Sequence, residues 1–189
     1  MIFDPQHRKD NRSARIGMAL FRMSQAIKKV TQAESDTLGL SPAQIQALLF
    51  AAYTRSDVAT VGNFANTIGT THVTAVKILN GLVRRELINK SQKAEDCRVT
   101  LLSLTSKGRE IVNKLDNWGH LVDDALQPIP EELLAHFEIG IGSIISTLQK
   151  EGHLIVSDPC LGCIHFLPNT GDLAASHIKQ NVKCFMNIW

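Results

Sequence analysis

No uninterrupted apolar run in these 189 residues approaches the length of a membrane span. Residues Met1 to Arg15 are polar and charged, without the apolar core of a secretory signal. Both absences point to a cytoplasmic chain. Cysteine is scarce, with four residues and none before Cys97. In a chain without export signals, clustered cysteines bind metal or do redox work more often than they form structural disulfides. Internal repeats and low-complexity tracts are missing too. So are a glycine-rich nucleotide loop, a Ser-His-Asp arrangement with a local signature, and paired carboxylates in a recognisable frame, which leaves little footing for an enzyme. An excess of one charge is also lacking, since 20 basic and 18 acidic residues nearly cancel.

What charge there is lies unevenly. Between Lys77 and Arg109 stand eight basic residues (Lys77, Arg84, Arg85, Lys90, Lys93, Arg98, Lys107, Arg109) against three acids (Glu86, Glu95, Asp96), a local +5. The remainder, with twelve basic and fifteen acidic residues, is −3. A basic stretch in an otherwise acidic chain is the electrostatic footprint of a nucleic-acid contact region. The 44% hydrophobic content is enough for a core.

Apolar periodicity predicts a first helix from about Arg15 to Ala33, with Ile16, Leu20, Met23, Ile27 and Val30 on one stripe. Ser41, Pro42 and Gln44 mark a sharp second start, and the nearly all-apolar Ile45 to Tyr53 belongs in the core. Thr60 to Ile68 reads as a short third helix, and Gly69 as the turn out of it. Thr70 or Thr71 caps a fourth, with Val73, Val76, Leu79, Leu82 and Val83 as its buried stripe. Short helix, tight turn and second helix make a helix-turn-helix pattern. Leu87 to Asn89 and Val99 to Leu104 are expected to pair as a β-wing with Lys90 to Arg98 as its tip. One long helix from Thr105 through Ile111, Leu115, Trp118 and Val122 should follow, and a last one from Glu131 to Glu151.

With that order of elements, residues 15 to 152 resemble the MarR family of winged helix-turn-helix regulators. The sharpest motif is the wing, where Asp96, Arg98, Leu104, Thr105 and Gly108 match the family's Asp-x-Arg followed by Leu-Thr-x-x-Gly. Leu82 to Ile88 also fits, except that Glu86 stands where the family has glycine. The resemblance implies a homodimer, packed through its N- and C-terminal helices, on pseudo-palindromic operators. It also allows a small aromatic effector in the dimer cleft. Family members that sense peroxide carry their reactive cysteine near the N-terminus, where this chain has none.

The residues themselves support a reading of duplex DNA. Arg98 at a wing tip suits a narrow minor groove, with Asp96 pairing its guanidinium to fix its direction. On the fourth helix Thr71, His72, Thr74, Ala75, Lys77 and Ile78 are expected to face a major groove, where hydroxyls and small methyl groups read base edges. Lys77, Arg84 and Lys90 are the expected phosphate contacts. Gly140 and Gly142 inside the last helix fit either close helix approach at a dimer interface or a local kink.

Beyond Glu151 come Cys160-Leu161-Gly162-Cys163, His165, His177 and Cys184. Cys160, Cys163, Cys184 and one histidine can complete a tetrahedral zinc site. His177 is preferred over His165, which follows the Cys-x-x-Cys knuckle closely. An iron–sulfur cluster, a Cys160–Cys163 redox pair and plain buried cysteines stay open as alternatives.

The expected architecture is mainly α with a small β-wing. A winged helix-turn-helix domain with long dimerisation helices spans residues 1–152, and a Cys/His extension spans 153–189. The expected function is sequence-specific DNA binding by a homodimeric repressor modulated through a metal in the tail. The alternative is a metal- or iron–sulfur-dependent redox protein or enzyme using the same cysteines.

Overall fold

The computed structural model describes residues 1–115 and 118–153, which fall into two units. The first takes in residues 1–42 and 118–128. Asp4 caps helix α1 (Pro5–Asp10), its carboxylate accepting from the Gln6 amide, and Pro5 supplies a first-turn φ already suited to a helix. Asn11 then caps α2 (Arg12–Thr37) by accepting from the Ala14 amide. That helix outruns the predicted Arg15 to Ala33 at both ends. The leading residues fold back on it, with Phe3 meeting Phe21 edge to face at 5.2 Å. Arg8 donates to the Ile2 carbonyl at 2.7 Å, and Arg15 to those of Arg8 and Lys9 at 2.9 and 2.8 Å.

Gly119 has φ 85° and stands as N-cap of α7 (His120–Leu126). The single helix expected from Thr105 to beyond Val122 is instead two: the one that begins at Ser106 stops at Asn113, and Gly119, in the left-handed region, precedes the new start. The amide of Gly119 donates to Glu34 Oε2 at 2.8 Å, and His120 Nδ1 lies 3.2 Å from Glu34 Oε1. This joins α7's start to the last turns of α2.

The second unit takes in residues 43–115 and 129–153. Its helices are α3 (Pro42–Tyr53), α4 (Val61–Thr67), α5 (His72–Arg84), α6 (Ser106–Asn113) and α8 (Glu131–Lys150), in chain order with the wing between α5 and α6. Ile45, Leu48, Phe64, Leu79, Leu82 and Ile88 are fully buried and form its core. Each contributes on the order of 1.5–3 kcal/mol of apolar transfer. Thr60 caps α4 by accepting from the Asn63 amide at 3.1 Å. Gly69 then turns the chain at φ 62° into α5.

Strands β1 (Ile88–Lys93) and β2 (Asp96–Leu104) pair antiparallel, with Ile88 opposite Leu104, Lys90 opposite Leu102 and a register shift at Gln92–Lys93. The Leu102 amide donates to the Ala59 carbonyl at 2.7 Å, and Thr60 bridges Leu101, so the segment before α4 adds one rung to the ribbon. Helix α8 has no buried residue. Leu133, Phe137, Ile144 and Leu148 are exposed at helical spacing along it. No described helix is long and apolar enough to cross a membrane.

Candidate nucleic-acid interface

Helix α5 has two opposed faces. Ala75, Leu79 and Leu82 are fully buried and follow one another at helical spacing. Across the helix, Val73, Lys77, Asn80 and Arg84 form an exposed row at the same spacing. The first turn is exposed throughout, from Thr71 to Thr74. Thr71 is the N-cap: its hydroxyl accepts from the Thr74 amide at 3.2 Å and lies 3.0 Å from the Thr74 hydroxyl.

The exit from α5 explains the Leu82–Ile88 motif. The Glu86 amide donates to the Val83 carbonyl at 2.9 Å, and the Leu87 amide to the Leu82 carbonyl at 3.0 Å. This paired closure ends a helix with one residue in the left-handed region, normally glycine. Glu86 takes that place at φ 61°. Its carbonyl accepts from the Thr105 hydroxyl at 2.6 Å, and its carboxylate lies 3.7 Å from Lys107 Nζ. Thr105 also caps α6, accepting from the Gly108 amide at 2.9 Å. A Cβ on Gly108 would sit 2.0 Å from the Leu87 carbonyl oxygen. The Leu-Thr-x-x-Gly motif is thus the clamp at the base of the wing, where β1 leaves and β2 returns.

At the far end, Asp96 Oδ1 accepts from the Arg98 amide and from Arg98 Nε, both at 3.0 Å, and Oδ2 accepts from Nη2 at 3.2 Å. The Arg98 side chain is nonetheless 91% exposed. Hydrogen bonds from Arg98 hold the Asp96 carboxyl below the usual carboxylate range and raise the guanidinium in turn. The pair aims a cation outward. Cys97 is exposed between them.

Most of the residues singled out from sequence lie where a ligand can reach them. Thr71, His72, Thr74, Lys77, Arg84 and Arg98 are exposed, while Asp96 and Ile78 are half-buried. Two expectations need correction. Ala75 is fully buried, while Val73 and Val83, expected in the buried stripe, are exposed, Val73 at 64%. The true stripe runs through residues 75, 79 and 82, and the small side chain of Ala75 disguised its first member. Neither Lys90 nor Arg98 is in the tip, which shrinks to Ala94 and Glu95 because the strands pair further out, with Arg98 near the start of β2. Lys90 instead lies mid-strand opposite Leu102, and its Nζ donates to Asn80 Oδ1 at 2.6 Å. Partial burial lowers its pKa. Asn80 was not foreseen, although its place on the row of Lys77 and Arg84 was visible in the spacing.

Among the described residues no three His, Cys, Asp or Glu side chains cluster as metal ligands. The expected ligands Cys160, Cys163, His177 and Cys184, with the alternative His165, lie outside the described residues.

No protein-family model and no curated protein matches the chain. Solved structures do match. A Staphylococcus aureus MepR–DNA complex is 22% identical with a TM-score of 0.63, covering 69% of this chain and 97% of that one. FabT of Streptococcus pneumoniae, also in complex with DNA, is 22% identical at a TM-score of 0.60, over 72% and 97% of the two chains. A MarR-family transcriptional regulator from a Rhodococcus species is 18% identical at 0.59, over 72% and 96%. The chain has the winged helix-turn-helix fold of MarR-family regulators.

Proposed function

We propose, from this fold, that the protein is a transcription regulator that binds duplex DNA as a homodimer on a pseudo-palindromic operator and represses by covering it. The observation that carries the reading is the joint display, on one unit, of an exposed α5 row with Lys77 and Arg84 and of an outward-held Arg98 on the wing. A helix of about 10–12 Å diameter fits a major groove about 12 Å wide, and a lone guanidinium suits the narrower minor groove. Lys77, Arg84 and Lys90, which keeps two donors beyond the one given to Asn80, are the proposed phosphate contacts. His72 and Thr74 face base edges. Ala75 is left out, since its side chain is sealed in the core.

Dimerisation is supported by the apolar surface that a single chain leaves bare. Ile16 and Met23 on α2, and Leu133, Phe137, Ile144 and Leu148 on α8, are exposed at helical spacing. Apolar side chains repeating along one side of a helix without cover mark an association surface.

The test is selection of a binding duplex from a random pool, followed by affinity measurements across salt. Binding that weakens steeply between about 50 and 200 mM salt is the expected result. Failure to enrich any duplex over random sequence would overturn the reading.

A further inference from the structure

Val73 is out of place for a residue that only builds the fold. It belongs to the first turn of α5, is 64% exposed, and touches none of the burial that Ala75, Leu79 and Leu82 supply on the other side. Its row continues through Lys77, Asn80 and Arg84, so one apolar side chain heads a line of polar and cationic ones. Hydrogen-bonding capacity close to it is partly spent inside the protein. The Thr71 hydroxyl is held by the Thr74 amide and hydroxyl, and Asn80 Oδ1 is held by Lys90.

Resting on the DNA-binding reading above, we infer that Val73 is a specificity-determining residue that packs against the 5-methyl group of a thymine in the major groove of the operator. Thymine is the base whose major-groove edge carries a methyl group, and the N-terminal residues of a reading helix are the ones that reach base edges. A β-branched side chain in a helix holds essentially one χ1 rotamer, so the valine methyls are positioned before contact and lose little freedom on meeting the base. Largely exposed to water, those methyls add little to folding. Against thymine they are removed from solvent together with the base methyl.

The experiment starts from the duplex selected by the wild-type protein. Each thymine is replaced by deoxyuridine, one symmetric pair at a time, which deletes the methyl and leaves base pairing unchanged. Affinities are measured for wild type, Val73→Ala and Val73→Thr, with thermal melts to confirm that the exposed substitutions leave the fold intact. One position is expected where methyl loss costs wild type about fourfold per half-site, the worth of one buried methyl-sized group. That penalty vanishes in Val73→Ala and persists in part in Val73→Thr, which keeps one methyl. Penalties that stay the same in Val73→Ala, or no penalty at any position, overturn the assignment while leaving DNA binding standing. A pool that yields no duplex at all overturns the DNA-binding reading itself, and Val73's role with it.

Discussion

Asp96 grips Arg98 with both carboxylate oxygens, Oδ1 on Nε at 3.0 Å and Oδ2 on Nη2 at 3.2 Å, while the arginine stays almost wholly in solvent. A pair so exposed adds little to folding, and its consequence is direction. Arg98→Ala is expected to fold like wild type, weaken DNA binding and lower the salt slope by about one. Asp96→Asn keeps the cation, so affinity should fall with the slope retained. Equal affinity of all three proteins would show that the wing does not touch DNA.

Protonation should act on the same pair. Because Arg98's hydrogen bonds depress the Asp96 pKa, the pairing is complete above the ordinary aspartate range and is lost as pH falls through the lowered value. Carbon-detected NMR should show the Asp96 carboxyl titrating below a free aspartate, and moving upward in Arg98→Ala. An unchanged midpoint in that variant would place the cause elsewhere.

Gly108 is expected to tolerate no side chain. Alanine there would drive its Cβ to 2.0 Å from a backbone oxygen, that of Leu87, and must shift β1 or α6. A loss of about 2–3 kcal/mol or more in urea unfolding is predicted. A smaller loss than about 1 kcal/mol would mean that the wing base yields easily.

Glu86→Gly should run the other way. A non-glycine residue in the left-handed region costs on the order of 1–2 kcal/mol, partly offset by glycine's greater freedom in the unfolded chain. A net gain of about 0.5–1 kcal/mol is expected, since the exposed ion pair with Lys107 contributes little. Glu86→Ala keeps the unfavourable φ and should show no such gain. A urea midpoint that falls in Glu86→Gly would contradict the strain argument.

Glutamate in place of the family's glycine at position 86 is legible in the sequence, but its backbone consequence is not. Sequence alone placed the helix-turn-helix, the wing and a cap at Thr70 or Thr71, the latter being the one that forms, because apolar spacing and short polar caps are local signals. It misread what depends on partners. The Ile111, Leu115, Trp118 and Val122 spacing ran unbroken through Gly119, where the backbone turns left-handed. In α5 the apolar spacing admits Val73 to the stripe and passes over Ala75, whereas the fold buries the alanine and exposes the valine. Strand pairing carried Lys90 out of the tip, and a cross-element bond to Asn80 leaves no periodic trace.

Helix α8 offers a test of assembly. Leu133, Phe137, Ile144 and Leu148 share a face with Gly140, where an added Cβ meets nothing within 4 Å in the single chain. Phe137→Lys and Gly140→Leu should both leave helix content intact and shift sedimentation from dimer toward monomer. Glycine in mid-helix costs up to about 1 kcal/mol, so if close packing does not explain it, Gly140→Leu should stabilise a species of unchanged mass.

The cysteine tail is best settled by composition. Protein purified without oxygen is expected to carry about one zinc per chain, a content lost in Cys160→Ser, as a three-cysteine, one-histidine set would bind it. Iron with inorganic sulfide would favour the redox alternative. Absence of metal in wild type would remove both.

Lys90 and Asn80 meet at 2.6 Å between a strand of the wing and the polar row of α5. Mechanically, that bond is a brace. With the clamp at Thr105 and Gly108 below it, the wing is tied to the end and the polar row of α5 at two heights. If α5 and the wing enter adjacent grooves as proposed, a rotation that lifts α5 from one groove also draws Arg98 out of the next. On the proposed reading, tolerance for operators of different half-site spacing would reside outside the α5–wing unit, in the helices proposed to join two copies.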